Sequence, residues 1–241
     1  MAIGSQHVAL ITGASRGLGA ELAAFLAAQD FGLVLTARGS DALAGVVSRI
    51  SRGRVVALAG DVADAAHRDK LIAAAEDLGG LDLLVNNASE LGPSPLPQLI
   101  DLPRDALERI FDVNVYAPLA LVRTAVPLLQ RRGGLIVNLS SDAALGGYPG
   151  WGGYGASKAA LDLMTATLAN ELKGRGIAAV AVDPGDMRTA MHQAAYPGED
   201  ISDRPLPEAT VPFWAWLVGQ PRTAISGRRY RAQDETWEAA N

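Results

Sequence analysis

Short, almost continuous runs of apolar residues, separated by longer Ala- and Leu-rich segments, restrict the fold of this chain more than any other feature. Runs such as HVALIT (7–12) and GLIVNLS (134–140) do not alternate polar and apolar residues. A strand with one face in water alternates, whereas a strand covered on both faces is apolar throughout. Such strands interleaved with helices indicate βαβ units, and right-handed crossovers then fix most of the topology. The sequence therefore predicts an α/β fold with a doubly wound, mostly parallel sheet.

The apolar runs and the segments between them predict seven strands and five long helices. The predicted strands cover residues 7–12, 32–37, 54–59, 81–86, 134–140, 177–182 and 224–231, and the predicted helices cover 17–29, 41–51, 64–78, 104–131 and 155–173. No repeat or linker divides the chain, so residues 1–241 are expected to form one NAD(P)-binding Rossmann domain with a seven-stranded sheet and helices on both faces. The Pro-rich segment at about 187–220 is expected to form a substrate lid of loop and short helix.

Composition excludes several classes of protein. The chain has 241 residues, no cysteine and a net charge of −5, so disulfides and thiolate metal sites are excluded and a nucleic-acid partner is not expected. No apolar run approaches the length of about 18 residues that spans a membrane, and no signal peptide is recognised, so a cytoplasmic location is the expectation. The small basic cluster GRRYR (227–231) is interpreted as a solvated face. His7, His67 and His192 lack the spacing of metal ligands; His67 is interpreted as a helix surface residue, and no metal site is expected.

A glycine-rich segment, TGASRGLGAEL, follows the first predicted strand and begins the first helix. Its glycines are Gly13, Gly17 and Gly19. A glycine turn at this place lets the backbone approach a pyrophosphate, which the free N–H groups of the helix N-terminus then bind. A tight turn that merely needs positive φ values is the alternative. The position between a buried strand and an Ala-rich helix favours dinucleotide binding.

The end of the second predicted strand, LTARGS, bears on which dinucleotide is bound. Proteins that bind NAD tend to carry an acid about 20 residues after the glycine turn, where it contacts the ribose 2′-hydroxyl. Here that tip holds an alanine followed by Arg38, and Arg16 lies inside the glycine turn. Two guanidinium groups suit a 2′-phosphate, so the sequence predicts NADP(H). Two surface arginines without a partner are the alternative reading, and the nearby acids Asp30 and Asp41 weaken the argument.

The segment YGASK carries Tyr154 and Lys158, four positions apart. Residues at this spacing share one face of a helix. A nearby ammonium group favours the phenolate and so is expected to lower the pKa of Tyr154. A surface tyrosine beside a solvated lysine is the alternative, because so short a pattern recurs by chance.

Taken in order, these segments resemble the motifs of the short-chain dehydrogenase/reductase family over almost the whole chain. TGASRGLG resembles its cofactor loop, DV at 61–62 its adenine contact, and NNAS at 86–89 its Asn-Asn-Ala-Gly signature. DVNV at 112–115 resembles the segment that carries its helix asparagine. The pair SS before YGASK resembles its catalytic pattern, and DPGDMRT at 183–189 its Pro-Gly loop.

The resemblance implies a catalytic role for each of four residues. Tyr154 would be the general acid in carbonyl reduction and the general base in alcohol oxidation. Lys158 would lower its pKa and bind the nicotinamide ribose, and Ser141, thirteen positions before Tyr154, would orient the substrate oxygen. Ser140 is a rival for that role. Asn114 would hold a water that links Lys158 to solvent.

The resemblance also implies the cofactor contacts and the assembly. Contacts with NADP(H) are implied for Gly13, Ser15, Arg16, Gly17, Leu18, Gly19, Arg38, Asp61, Val62, Asn86, Ala88, Tyr154, Lys158, Pro184, Gly185, Met187 and Thr189. The helices predicted at 104–131 and 155–173 resemble those that pair in family dimers and tetramers, so a homo-oligomer is expected, with a small-molecule carbonyl or alcohol as the only other partner. The chain departs from the family pattern at Ser89 and Asp186 and in its C-terminal segment, which lacks Val-Asp-Gly-Gly.

Several aromatic and apolar residues bear on the substrate pocket, and two other functions are possible readings of the sequence. Tyr148, Trp151, Met191, Phe213 and Trp214 fall where the family builds its substrate pocket, although core packing is an equal alternative for Phe213 and Trp214. A catalytically silent member that binds nucleotide as a sensor or scaffold is the main rival to an oxidoreductase. A Rossmann-like methyltransferase is a third reading, which gives Tyr154 and Lys158 no role.

Overall fold

The computed structural model describes residues 7–239, in which seven strands form one sheet. The strands are β1 (Val8–Thr12), β2 (Gly32–Ala37), β3 (Val55–Ala59), β4 (Leu83–Asn86), β5 (Leu135–Leu139), β6 (Ala178–Asp183) and β7 (Arg229–Arg231). Their order is β3-β2-β1-β4-β5-β6-β7, and all six neighbouring pairs are parallel. The predicted doubly wound fold is confirmed, and the sheet is parallel throughout.

Helices cover both faces of the sheet. They are α1 (Gly17–Ala28), α2 (Ser40–Val47), α3 (Ala65–Asp77), α4 (Arg104–Phe111), α5 (Ala117–Arg132), α6 (Gly152–Leu172), α7 (Ala190–Ala195), α8 (Val211–Val218) and α9 (Arg222–Ile225). One hydrophobic cluster joins α1, α2 and α8 to the sheet, and a second joins α3, α5 and α6 to the opposite face. Every residue of β1, β2, β4, β5 and β6 is buried, which explains why these strands read as unbroken apolar runs.

Two predicted elements differ from the observed ones. The single helix expected at 104–131 is interrupted by a π-helical turn at Asp112–Tyr116, which separates α4 from α5. The strand expected at 224–231 is only Arg229–Arg231, because its first residues belong to α9, where Ile225 packs into the core. Both differences depend on tertiary contacts, such as the packing of Ile225 into the core. A hydrophobic pattern in the sequence does not reveal such contacts.

The topology creates a crevice at the carboxyl ends of β1 and β4. From β1 the chain proceeds outward to β2 and β3, and from β4 it proceeds to the other half of the sheet. Ligands of open parallel sheets bind at this switch point, beyond the carboxyl ends of the strands. The loops that follow β1, β4, β5 and β6 meet there, and they carry most of the predicted site residues.

A chain of buried side-chain hydrogen bonds ties the sheet to α6 beneath this crevice. Asn86 Nδ2 donates to Asn138 Oδ1 at 2.7 Å, and Asn138 Nδ2 donates to Thr165 Oγ1 at 2.7 Å. Thr165 in turn donates to the Leu161 carbonyl at 2.7 Å. All the polar groups lie in the interior, so each depends on its partner for hydrogen bonding.

We expect Thr165→Val to lower the free energy of unfolding by about 1–3 kcal/mol, because Asn138 would lose its acceptor inside the core. Thr167→Val is the matched control: Thr167 makes the same bond to the carbonyl four residues earlier on α6, but it is exposed. We expect that control to change the free energy by less than about 0.5 kcal/mol. Urea denaturation measures both, and equal effects would contradict the role given to the buried chain.

Candidate active site

The turn after β1 packs too tightly for any residue larger than glycine. Gly13 has φ of +68°, and a Cβ there would lie 2.9 Å from the Ala88 Cα. A Cβ on Gly19 would lie 2.3 Å from the Gly13 carbonyl oxygen. Asn87 Nδ2 locks the turn by donating to the carbonyls of Thr12 at 2.8 Å and Gly13 at 3.1 Å. The glycines are therefore required by close backbone packing as well as by backbone angle, and the open side of the turn faces the crevice.

Most of the predicted cofactor residues line one cleft at the switch point. They are Gly13, Ser15, Arg16, Gly17, Leu18, Gly19, Arg38, Asp61, Val62, Ala88, Tyr154, Lys158, Pro184, Met187 and Thr189. Asn86 does not line it, because its side chain is buried against Asn138. Its neighbour Asn87 does, and Gly185 lines an adjoining cavity instead.

Three charged residues of this cleft take part in two ion pairs, one of them with Glu90 outside its lining. Arg38 Nη1 lies 3.3 Å from Glu90 Oε2, and its side chain is 60% exposed. Arg109 Nη2 donates to Asp61 Oδ2 at 2.6 Å. Burial opposes ionisation of Asp61, but hydrogen bonds from the Ala63 N–H and Arg109 outweigh it and hold the pKa of Asp61 below its usual range. Arg109 and Glu90 were not singled out from the sequence, because their partners are distant in the chain.

Tyr154 and Lys158 lie on the buried face of α6, one turn apart. Lys158 Nζ is 5.4 Å from the Tyr154 ring centroid and donates to the Leu139 carbonyl at 2.7 Å. The lysine is only 2% exposed, and burial lowers its pKa to about 8. Burial raises the pKa of Tyr154 to about 12, and Asp183 and Asp142 add to that effect. The prediction that Lys158 brings the tyrosine pKa down is therefore wrong for the protein chain by itself, because desolvation dominates.

Asn114 lies in the π-helical turn, and its side-chain amide makes its full set of hydrogen bonds. Its Oδ1 accepts from the Glu90 N–H at 2.7 Å and from Ser89 Oγ at 3.2 Å. Its Nδ2 donates to the Glu90 carbonyl and to Ser157 Oγ, each at 2.9 Å. An amide side chain accepts two and donates two hydrogen bonds, so the side chain of Asn114 has none left for a water. The side chain clamps α6 to the loop after β4, and the water predicted at Asn114 stays a prediction.

Ser89 is a site residue that the sequence marked only as a departure from the family pattern. Its hydroxyl donates to Asn114 and also lies close enough to the Tyr154 hydroxyl to lower the pKa of that tyrosine. A glycine at this position would make neither contact. The serine thus supplies one of two hydroxyl groups beside the phenol, and Ser141 supplies the other.

Ser141 follows β5 and lines the cavity that adjoins the cofactor cleft. Its hydroxyl donates to Asp142 Oδ1 at 3.0 Å and accepts from the Ala143 N–H at 3.2 Å. Arg229 Nη2 donates to the Ser141 carbonyl at 2.8 Å and to Asp183 Oδ2 at 3.1 Å. Arg229 is part of the basic cluster that was interpreted as solvated; for this residue that interpretation is wrong, since it braces the loop carrying Ser141.

The rival residue Ser140 is more buried than Ser141. It is 3% exposed, and its hydroxyl has no hydrogen-bond partner within residues 7–239. It lines both cavities at the tip of β5. The contact with the Tyr154 hydroxyl belongs to Ser141, in agreement with the spacing argument.

The histidines and aromatic residues divide between the core and the adjoining cavity. His67 is not on the surface as expected: it is 6% exposed and bonded to Thr36 Oγ1 at 2.7 Å, and burial lowers its pKa. Phe213 and Trp214 belong to the core, packed with Tyr230 and Trp237. Within the predicted lid segment, residues that line the adjoining cavity include Met187, Thr189, Met191, His192 and Tyr196.

The described part of the chain lacks a membrane-spanning helix and a cluster of metal-binding side chains. No helix there is long and apolar enough to cross a membrane. Nor do three or more histidine, aspartate or glutamate side chains in residues 7–239 come together as a possible metal site. His7 pairs with Asp82 at 3.0 Å, at the amino end of the strands and far from the crevice.

A parallel doubly wound sheet with a glycine-rich turn at its switch point defines a dinucleotide-binding protein. A model of the short chain dehydrogenase family matches residues 7–200. The chain belongs to this family, whose members are oxidoreductases that use a nicotinamide cofactor.

Relatives and solved structures agree with this assignment. A 3-oxoacyl-[acyl-carrier-protein] reductase of Synechocystis is 33% identical over 233 residues, covering 95% of this chain and 90% of that protein. A short chain dehydrogenase structure from Pseudomonas syringae has a TM-score of 0.88 at 36% identity and covers 94% of each chain. One from Shigella flexneri, complexed with NADP, has a TM-score of 0.84 at 29% identity and covers 95% of this chain and 97% of that chain.

The buried ammonium group of Lys158 leads to a stability prediction. We expect Lys158→Met to raise the free energy of unfolding at pH 7 by about 1–3 kcal/mol, because methionine is buried without desolvating a charge. The pKa of Lys158 is lower in the folded protein than in the unfolded chain, so the unfolded chain binds more protons between about pH 8 and 10.5. The wild-type protein therefore gains stability as the pH rises through that range. The advantage of the variant should therefore shrink there.

Denaturant unfolding at several pH values measures this difference. Lys70→Met, on the exposed side of α3, is the matched control and should show no such pH dependence. A Lys158→Met protein less stable than the wild type at pH 7 would contradict the prediction.

Proposed function

We propose that this protein is an NADP(H)-dependent oxidoreductase that interconverts a ketone or aldehyde and an alcohol. One observation carries the proposal: Tyr154 lines both the cofactor cleft and the adjoining cavity. A phenol at the junction of two cavities can reach a substrate in one of them while the cofactor occupies the other. Lys158 lines only the cofactor side, and Ser141 only the substrate side.

The proposed chemistry needs a proton at one defined atom. The bound nicotinamide supplies or accepts a hydride at the substrate carbon. In reduction the carbonyl oxygen gains negative charge, and the Tyr154 hydroxyl donates its proton to that oxygen. With its pKa raised to about 12, Tyr154 is protonated at neutral pH and ready to act as the acid. The hydroxyls of Ser141 and Ser89 would then turn from Asp142 and Asn114 to donate to the phenolate that remains, and solvent would return the proton.

The remaining predicted residues have supporting roles in this proposal. Lys158 would bind the nicotinamide ribose hydroxyls and offset the phenolate charge. Met187 and Thr189 would hold the carboxamide, and both line the cleft. Asn114 would act by fixing Ser89 and α6 rather than by holding a water on its side chain.

The preference for NADP(H) is supported by the rim of the cleft around the tip of β2. Arg16 and Arg38 both line it, and Ala37 occupies the strand end where an acid would face the ribose. A 2′-phosphate would compete with Glu90 for Arg38. Similar structures hold either cofactor, since the Shigella protein is complexed with NADP and a 3-ketoacyl reductase from Brucella melitensis with NADH. The two arginines are thus the feature of this chain that favours the phosphate.

A homo-oligomer, dimer or tetramer, is part of the proposal. The side chain of Tyr116, just before α5, is 61% exposed, and that of Leu163, on α6, is 72% exposed. Large apolar side chains on these helices suit a face that a second copy covers. A catalytically silent nucleotide-binding protein is the alternative function, and the junction position of Tyr154 disfavours it.

We expect Tyr154→Phe to bind NADPH as the wild type does and to lose turnover by about 100-fold or more, because the substrate oxygen would lack its proton donor. A screen of ketones and alcohols, followed by NADPH absorbance, finds the substrate for the assay. Tyr230→Phe, outside both cavities, is the matched control and should keep full activity. Turnover by Tyr154→Phe at the wild-type rate would remove the tyrosine as the acid.

We expect Arg38→Asp to lower the ratio of kcat/KM for NADPH over NADH by about ten- to hundredfold, because a carboxylate would repel the 2′-phosphate and accept from a ribose hydroxyl. Arg49→Asp makes the same charge change on the exposed surface after α2 and should leave the ratio unchanged. If both variants keep the wild-type ratio, the phosphate contact is elsewhere.

A further inference from the structure

The cavity on the substrate side of Tyr154 has an uneven charge. It measures about 540 Å³, and no lysine or arginine is among the residues that line it. Its lining includes two carboxylates and four rings, which belong to Asp142, Asp186, Tyr148, Trp151, His192 and Tyr196. We call this the aromatic-acid cavity.

One further carboxylate, Asp183, lines the cavity but is neutralised. It is 3% exposed and paired with Arg229 Nη2 at 3.1 Å. Buried carboxylates are normally paired in this way. Asp183 therefore contributes to the support of the site rather than to the charge offered to a ligand.

Asp142 and Asp186 are not held in a close ion pair as Asp183 is. The oxygens of Asp142 accept hydrogen bonds from the hydroxyls of Ser141 and Tyr148, and no cation of the described chain forms an ion pair with it within 4.0 Å. Asp186 lies 3.7 Å from both His192 Nδ1 and Arg204 Nε, a loose contact, and its side chain is 57% exposed. Asp142 raises the pKa of Tyr148 most, and Asp186 and Asp183 add to that effect, so the field of these carboxylates reaches the ring of Tyr148.

Aromatic side chains form another part of the cavity wall. Trp151 lies 5.6 Å from Tyr154 and 6.1 Å from Tyr196, measured between ring centroids, and Tyr196 lies 5.0 Å from His192. Rings in this arrangement attract a cation through their negative faces. His192 is 9% exposed, and its Nε2 is buried without a hydrogen-bond partner in the described residues.

We propose that the carbonyl or alcohol substrate of this protein carries a cationic group, a protonated or quaternary amine, which the aromatic-acid cavity binds while Tyr154 meets the oxygen. The inference rests on the proposed function and adds the charge of the substrate to it. Anionic carbonyl compounds are disfavoured at the same site, because Asp142 and Asp186 repel them.

The test uses three para-substituted acetophenones that differ in charge: 4-acetylphenyl-trimethylammonium, its isosteric neutral analogue 4-tert-butylacetophenone, and the anion 4-acetylbenzoate. We expect kcat/KM with NADPH to be about tenfold higher for the cation than for the neutral ketone, and lowest for the anion. Asp186→Asn and Asp142→Asn should each reduce the preference for the cation severalfold, whereas Asp69→Asn, an exposed residue of α3, should leave it unchanged. Equal kcat/KM for cation and anion would overturn the inference.

A binding measurement separates this inference from the proposed reaction. Calorimetry should detect phenyltrimethylammonium on the wild-type protein and weaker binding on Asp186→Asn, with benzoate bound at least tenfold more weakly than the cation. If the cation binds but no ketone of any charge is reduced, the proposed reaction fails and the cavity assignment stands. If the neutral and anionic ketones are reduced with the same kcat/KM as the cationic one, the reaction stands and the cavity assignment fails. The same conclusion follows if benzoate binds as tightly as phenyltrimethylammonium.

Discussion

Parallel strands buried on both faces are the constraint on which the rest of this structure depends. Because all seven strands run in one direction, their carboxyl ends and the loops that follow them meet along one edge. The reversal of strand order between β1 and β4 opens a crevice in that edge. Residues as distant in the chain as Gly13, Ser89, Ser141 and Tyr154 reach the same crevice for this reason. No single loop could assemble them.

Burial then sets the ionisation of Tyr154 and Lys158. Tyr154 and Lys158 lie inside the protein, so each is biased toward its uncharged form: the phenol pKa rises and the ammonium pKa falls. This bias suits an acid that must keep its proton until a substrate oxygen develops charge. The hydroxyls of Ser89 and Ser141 work against the bias at the phenol. The site thus balances desolvation against a few placed hydrogen bonds.

A second electrostatic pattern separates the two cavities that meet at Tyr154. Arginines line the cofactor side, where a phosphate-bearing molecule would lie, whereas the substrate side has carboxylates and rings and no lysine or arginine among the residues that line it. Opposite fields on either side of one phenol would guide two different ligands to their own halves of the crevice. Arg229 lies behind the substrate side, where it pairs with Asp183 and braces the loop that carries Ser141.

The sequence by itself determined the sheet, the glycine turn and the Tyr154–Lys158 face, because apolar runs, glycine spacing and helical periodicity are local signals. It did not determine the π-helical turn at Asn114, the helical start of the segment at 224–231, or the burial of His67. Only the tertiary structure decided these features, along with the direction of the Tyr154 pKa and the partners of Arg229. Desolvation and hydrogen bonding depend on which distant residues surround a group, and a one-dimensional pattern does not contain that information.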